Sequence, residues 1–434
     1  MSPSRLRKTM LLVAVPASAL AGALLAGQLQ QSATTVQAIT VQANADTTLT
    51  RVSSELPGAM LLAQATPTSQ LNRTVMSPTC QGCHASNPKV PIKGARLGYN
   101  HSGHALNGNS WYANGDGCQQ GHTHEGFVDF TKNGKLTTAF IANPSQPGCM
   151  TCHQPHETGN MGLRVTKAVT LTNKKTFDGG KGNLCASCHQ SRSDVAKGVP
   201  TEAQPAARVG PRSAAHHGPQ ADMMVGTNAY EFAGKTYSSG DHYGEIDNTC
   251  VTCHMGLPRG RYGLSAAIGG HGMNMAADVH ENEVLNTAGC VSCHKDIKTA
   301  DSKRAWSKAG GAGVTWVPSS KIYAITAEAD YDQDSTKEYM QDEVQGLMDR
   351  LVNQQGTGAM QKNVPFFDAK GAYIGDKAAA GTIYTRDQMG ALYNYRFVLE
   401  DRSRGIHNTT YTIQLLTDSL AALDPTFNAS ARPK

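Results

Sequence analysis

Five short units of the form Cys-x-x-Cys-His punctuate the chain: Cys80/Cys83/His84, Cys149/Cys152/His153, Cys185/Cys188/His189, Cys250/Cys253/His254 and Cys290/Cys293/His294. Together they absorb ten of the eleven cysteines. Two thiols three residues apart can add to the two vinyl groups of one porphyrin as thioethers. The adjoining histidine then reaches the iron from the same side. Zinc-binding cysteine couples would not require a histidine after every pair, and a redox dithiol needs one copy rather than five. The units therefore read as five covalent haem c sites, with His84, His153, His189, His254 and His294 as proximal ligands.

Macrocycles on this scale take over part of the work of a side-chain core. Composition agrees, since 39% of residues are hydrophobic, 6% are aromatic and 44 of 434 are glycine. That is a thin supply of core-forming groups for this length. The fold class expected is mainly α with extensive loops, the chain wrapping around haem, with little or no β-sheet.

The eleventh cysteine, Cys118, stands in "DGCQQGHTHEGF", residues 116–127. A cysteine in place of Gly121 would complete a sixth unit, with His122 at the proximal offset. The first cysteines of the complete units lie 69, 36, 65 and 40 residues apart, and Cys118 divides the longest interval into 38 and 31. This regularity favours a sixth haem held by one thioether at Cys118 with His122 on the iron; the plainer alternative is a free thiol in a loop. Glycine at position 121 has no side chain where the second thioether would have stood, so little steric conflict is expected there.

Arg5, Arg7 and Lys8 precede the apolar run Met10–Gly27, and small residues around "VQA" (36–38) and "ANA" (43–45) supply cleavage sequences. Residues 1–38 read as an export signal cut between about 27 and 46, residues 39–75 as a linker or disordered arm, 76–300 as the multihaem domain, and 301–434 as a helical part packed on the haem array that supplies a distal ligand. No other stretch could span a membrane. Helices are expected over 335–354, over 386–402 with Thr385 as a cap, and from Asn408 to Leu423, stopping at Pro425. The formal charge of +5 falls to +2 without Arg5, Arg7 and Lys8. The two propionates on each of five haems then bring the reduced form to about −8. A nucleic-acid partner is excluded on that ground.

Each iron needs a sixth ligand or stays open. Of sixteen histidines, ten remain after the five proximal ones and His122: His101, His104, His124, His156, His216, His217, His242, His271, His280 and His407. Bis-histidine ligation throughout is thus possible, which tunes haem for electron transfer rather than for binding substrate at iron. The favoured distal set is His104, His124, His156, His217, His271 and His407, with His216, His242 and His280 as close competitors. Met223, Met224, Met273 and Met275 are alternatives, although methionine more often packs.

These units, together with "GGHGMNM", "GCVSCHKDI", "DEVQGLMDRL" and "YNYRFVLEDRSRGIHN", resemble exported bacterial multihaem c-type cytochromes, distantly related in plan to the pentahaem ammonia-forming nitrite reductases. The resemblance covers about residues 76–424. It implies proximal histidines at the five units and distal ones drawn partly from His271 and His407. Every cysteine pair here is followed by histidine and never by the lysine typical of those reductases. The function expected is electron transfer along closely packed haems in the periplasm or at the cell surface. Partners would be redox proteins or extracellular acceptors, and a homo-oligomer is possible. The alternatives are a reductase of a small nitrogen or sulfur oxyanion at an open haem, and a subunit of an extracellular filament.

Overall fold

The computed structural model of the protein describes residues 39–43, 47–51, 92–106, 114–115, 117–154, 162–209, 215, 218–258, 260–279, 282–295, 297, 307–308, 316–317 and 325–434. The chain divides into two units, Met1–Thr66 and Pro67–Lys434. In the first, Ile39–Ala43 pairs antiparallel with Thr47–Arg51, inside the stretch expected to be a linker. The export segment and the Cys80–His84 unit lie outside the described residues. Among the described residues no helix is long and apolar enough to cross a membrane.

The second unit is mostly helix and loop. Its β-structure is confined to two-stranded antiparallel pairs, such as Ala276–Val279 with Asn282–Leu285 and Gln204–Pro205 with Ile383–Tyr384. The long helices gather at the C-terminal end. Arg386–Asp401 starts where Thr385 and Gln388 cap each other: Thr385 Oγ1 accepts from Gln388 N at 3.2 Å, and Gln388 Oε1 accepts from Thr385 N at 2.9 Å. It ends at Arg402, which turns into the left-handed region at φ 62°. Thr409–Leu423 starts at Asn408, whose side chain accepts from Tyr411 N at 3.2 Å, and it ends just before Pro425. These two helices pack on each other, and Met340–Leu351 packs on the second.

Their contact buries Leu347, Leu392, Tyr393, Phe397, Leu415 and Leu416 completely. Each such side chain stabilises the fold by about 1.5–3 kcal/mol relative to exposure. Val209, Met223, Tyr230 and Phe232, from the cysteine-bearing segment, belong to the same core. Gly390 is needed there, because a side chain at that position would overlap the Tyr230 ring. Met223 fills this core with its sulfur accepting from Thr412 Oγ1 at 3.4 Å, so it is used for packing.

The helix expected over 335–354 is shorter, Met340–Leu351. Upstream, the carboxylates of Asp330 and Asp334 accept from the backbone N–H groups of Ser335 and Thr336, and Gln333 and Ser335 take positive φ. Side chains that hydrogen-bond nearby backbone in this way compete with the helical pattern.

Candidate haem-binding sites

In each attachment unit the described backbone makes one helical turn. His153 N donates to Cys149 O, His189 N to Cys185 O and His294 N to Cys290 O, each at 2.8 Å; the Cys250–His254 unit is itself a short helix. Positions i, i+3 and i+4 of such a turn share one face, so both thiols and the histidine point the same way. Residues 118–122 make the same turn, with His122 N donating to Cys118 O at 3.1 Å. The incomplete motif therefore keeps the backbone of the complete ones. At Gly121, where the second anchor is missing, an added Cβ would stand 2.9 Å from Arg192 Nη2, the far end of a flexible side chain that can move aside.

Four of the unit histidines face a histidine from elsewhere in the chain. His189 faces His104 with ring centroids 5.9 Å apart, His294 faces His242 at 6.1 Å, His153 faces His271 at 6.3 Å, and His254 faces His407 at 6.4 Å. Two imidazoles bonded at about 2 Å to opposite faces of one metal have centroids about 6 Å apart. The residues present thus fit an iron between the members of each pair and thioethers at the adjoining cysteines. His104, His271 and His407 came from the favoured distal set. His242 came from the competitors; its ring is held by Ile406 O, 2.7 Å from Nδ1, a long-range contact with no signature in the sequence.

The second ring nitrogens are held as well. His254 Nδ1 lies 3.0 Å from Met273 O, His242 Nδ1 2.7 Å from Ile406 O, and His189 Nδ1 3.3 Å from Gln220 Oε1. Donation from Nδ1 leaves the Nε2 lone pair free to bind a metal. Burial also favours the neutral ring. It lowers the pKa of His104, His254 and His271, and takes His189, which also feels the charge of His104, down to about 4. His407 differs: burial lowers its pKa, but the charge of Asp401 and its hydrogen bond outweigh burial and raise it overall.

His124 is held at Nδ1, 2.8 Å from Thr151 Oγ1 inside the Cys149 unit. His156, His216, His217 and His280 lie outside the described residues, as do Cys80, Cys83 and His84.

The thiols are unpaired by disulfides among the described residues. Burial raises the Cys188 thiol to about 11, and burial together with neighbouring Cys188 raises Cys152 to about 12. Cys152, Cys185, Cys188, Cys250, Cys253 and Cys290 are half-buried, and Cys118, Cys149 and Cys293 are exposed. Ser292 Oγ donates to the Cys293 sulfur at 3.8 Å.

Successive units touch in chain order. Arg164 holds the Cys149 unit through Met150 O at 2.6 Å and Thr151 O at 3.2 Å, while Asn183 Nδ2, beside the Cys185 unit, donates to Thr166 O at 3.3 Å. The Cys185 and Cys250 thiols lie close enough to shift each other's ionisation, that of Cys185 upward and that of Cys250 downward. Gly289 lies against Cys253, a Cβ there being 3.0 Å from its sulfur, and Asn286 Nδ2 donates to Cys253 O at 3.2 Å. The sites thus run 149, 185, 250, 290.

No known family and no curated protein matches the chain. Two solved structures are similar to it. The outer cell wall cytochrome OcwA is 18% identical with a TM-score of 0.42, over 75% of this chain and 50% of that one. The undecahaem cytochrome from the S-layer of Carboxydothermus ferrireducens is 17% identical with a TM-score of 0.39, over 77% of this chain and 41% of that one. The chain therefore spans half or less of the length of either.

Proposed function

We propose that this chain is an exported multihaem c-type cytochrome that relays electrons outside the bacterial cytoplasm, between redox proteins or extracellular acceptors. The observation that carries this reading is the set of four histidine pairs, each joining an attachment unit to a remote histidine at 5.9–6.4 Å. When bound, haem supplies one-electron chemistry between ferrous and ferric iron. The residues do the rest. When haem is bound, the cysteine pairs would hold each macrocycle, the paired histidines would ligate the iron, and the Nδ1 contacts would keep those rings in the ligating orientation. The chain-order contacts of the units support transfer from one site to the next. We assign the proximal role to His84 and the sixth, single-thioether site to Cys118 and His122, whose turn matches the complete units.

The ferric spectrum and the intact mass of the holoprotein test this together. The expected result is a low-spin spectrum with a mass corresponding to six haems. A high-spin iron in each chain that binds nitrite or cyanide would favour the oxyanion reductase instead. A mass for five haems, with Cys118 alkylating freely, would remove the sixth site.

A further inference from the structure

One of the four histidine pairs has a carboxylate behind it. His407 Nδ1 lies 2.6 Å from Asp401 Oδ1, and the Asp401 side chain is 0% exposed. The other second-nitrogen partners described for these pairs, Met273 O, Ile406 O and Gln220 Oε1, are neutral. The loop is built for the contact. Arg402, Arg404 and Gly405 take positive φ at 62°, 50° and 86°, folding the chain back so that His407 meets the end of the helix it has just left. His407 N then donates to Ser403 Oγ at 3.2 Å, and Ser403 Oγ donates to the other carboxylate oxygen, Asp401 Oδ2. No Lys or Arg side chain is paired with Asp401 among the described ion pairs.

Resting on the electron-relay reading, we propose that Asp401 is a positioning residue that makes the His254/His407 site lower in reduction potential than the His104/His189 and His242/His294 sites. A full negative charge accepting the Nδ1 proton gives the ring imidazolate character, and a more basic ring stabilises ferric over ferrous iron. Burial strengthens the effect, because little water screens the charge. The site lies between the Cys185 and Cys290 units, so its potential governs exchange between them. The same loop reaches the next site, since Ile406 O holds His242 Nδ1 at 2.7 Å.

The test is a spectroelectrochemical titration of the holoprotein, with the low-spin ferric signals followed by electron paramagnetic resonance. Asp401→Asn keeps the shape and an acceptor oxygen but removes the charge. One low-potential component should move upward while the other components and the haem count stay as in the unaltered protein. Ser403→Ala, the second variant, strips a donor from the carboxylate and should move the same component downward. If Asp401→Asn fails to fold, the sign of the Ser403→Ala shift decides. A titration in which neither variant moves a low-potential component, in a protein with its haem count and low-spin signals intact, overturns the role of Asp401 and leaves the relay reading standing. Absence of low-spin signals in the unaltered protein would instead overturn the relay reading and this proposal with it.

Discussion

Between residues 92 and 297 the described α-helices run from four to ten residues, whereas the three main helices after residue 339 run to 12, 16 and 15. The later helices bury whole faces of Leu, Phe and Tyr against one another. In the cysteine-bearing segment the separate apolar clusters are small: Leu171, Phe177, Ala186, Ala221 and Met224 form one, and Ile268 with Val284 another. Its loops are tied instead by single side chains that bridge backbone, as Arg164, Asn183 and Asn286 do. One region carries a large core of its own, and the other only small ones. His407 and the Ile406 carbonyl that holds His242 sit side by side in the loop between the last two long helices.

The largest expected effect follows from withholding the cofactor. In protein made without haem attachment, amide exchange should remain slow through Arg386–Asp401 and Thr409–Leu423 and become fast through Lys93–His101 and His124–Asn133. Equal protection in both regions would break the contrast. Next in size, Leu416→Ala, at a position 0% exposed, should cost about 2–5 kcal/mol in denaturant unfolding. Leu264→Ala, at 92% exposed, should fall within about 0.5 kcal/mol.

A further effect, of pH, is confined to the C-terminal region. Burial, with the neighbouring charges of Asp334 and Glu343, raises the Asp332 carboxyl to about 7 from an ordinary 3.8. Between those values the folded state holds the proton more tightly than the unfolded one. Stability contributed by protonated Asp332 is therefore full below pH 3.8, declines as pH rises, and is gone above about 7. Thermal unfolding followed across this window should lose that decline in Asp332→Asn.

Local chemistry was legible in the sequence, and long-range pairing was not. Cys-x-x-Cys-His spacing dictates a single helical turn, and that turn is present even at Cys118. Thr385, Asn408 and Pro425 mark the ends of the last two long helices because caps and breakers act over a few residues. The start of Met340–Leu351 was missed where carboxylates capture backbone N–H groups ahead of it. Arg192 beside Gly121, His242 opposite His294, and Asp401 behind His407 depend on how loops fold back, which no periodicity records.

The paired histidines are tested most directly by removing them one at a time from the holoprotein. His104→Ala, His242→Ala, His271→Ala and His407→Ala should each leave the number of covalent haems unchanged and convert one iron from low spin to a high-spin form that binds cyanide. Four variants whose ferric spectra match that of the unaltered protein would contradict axial ligation by these pairs.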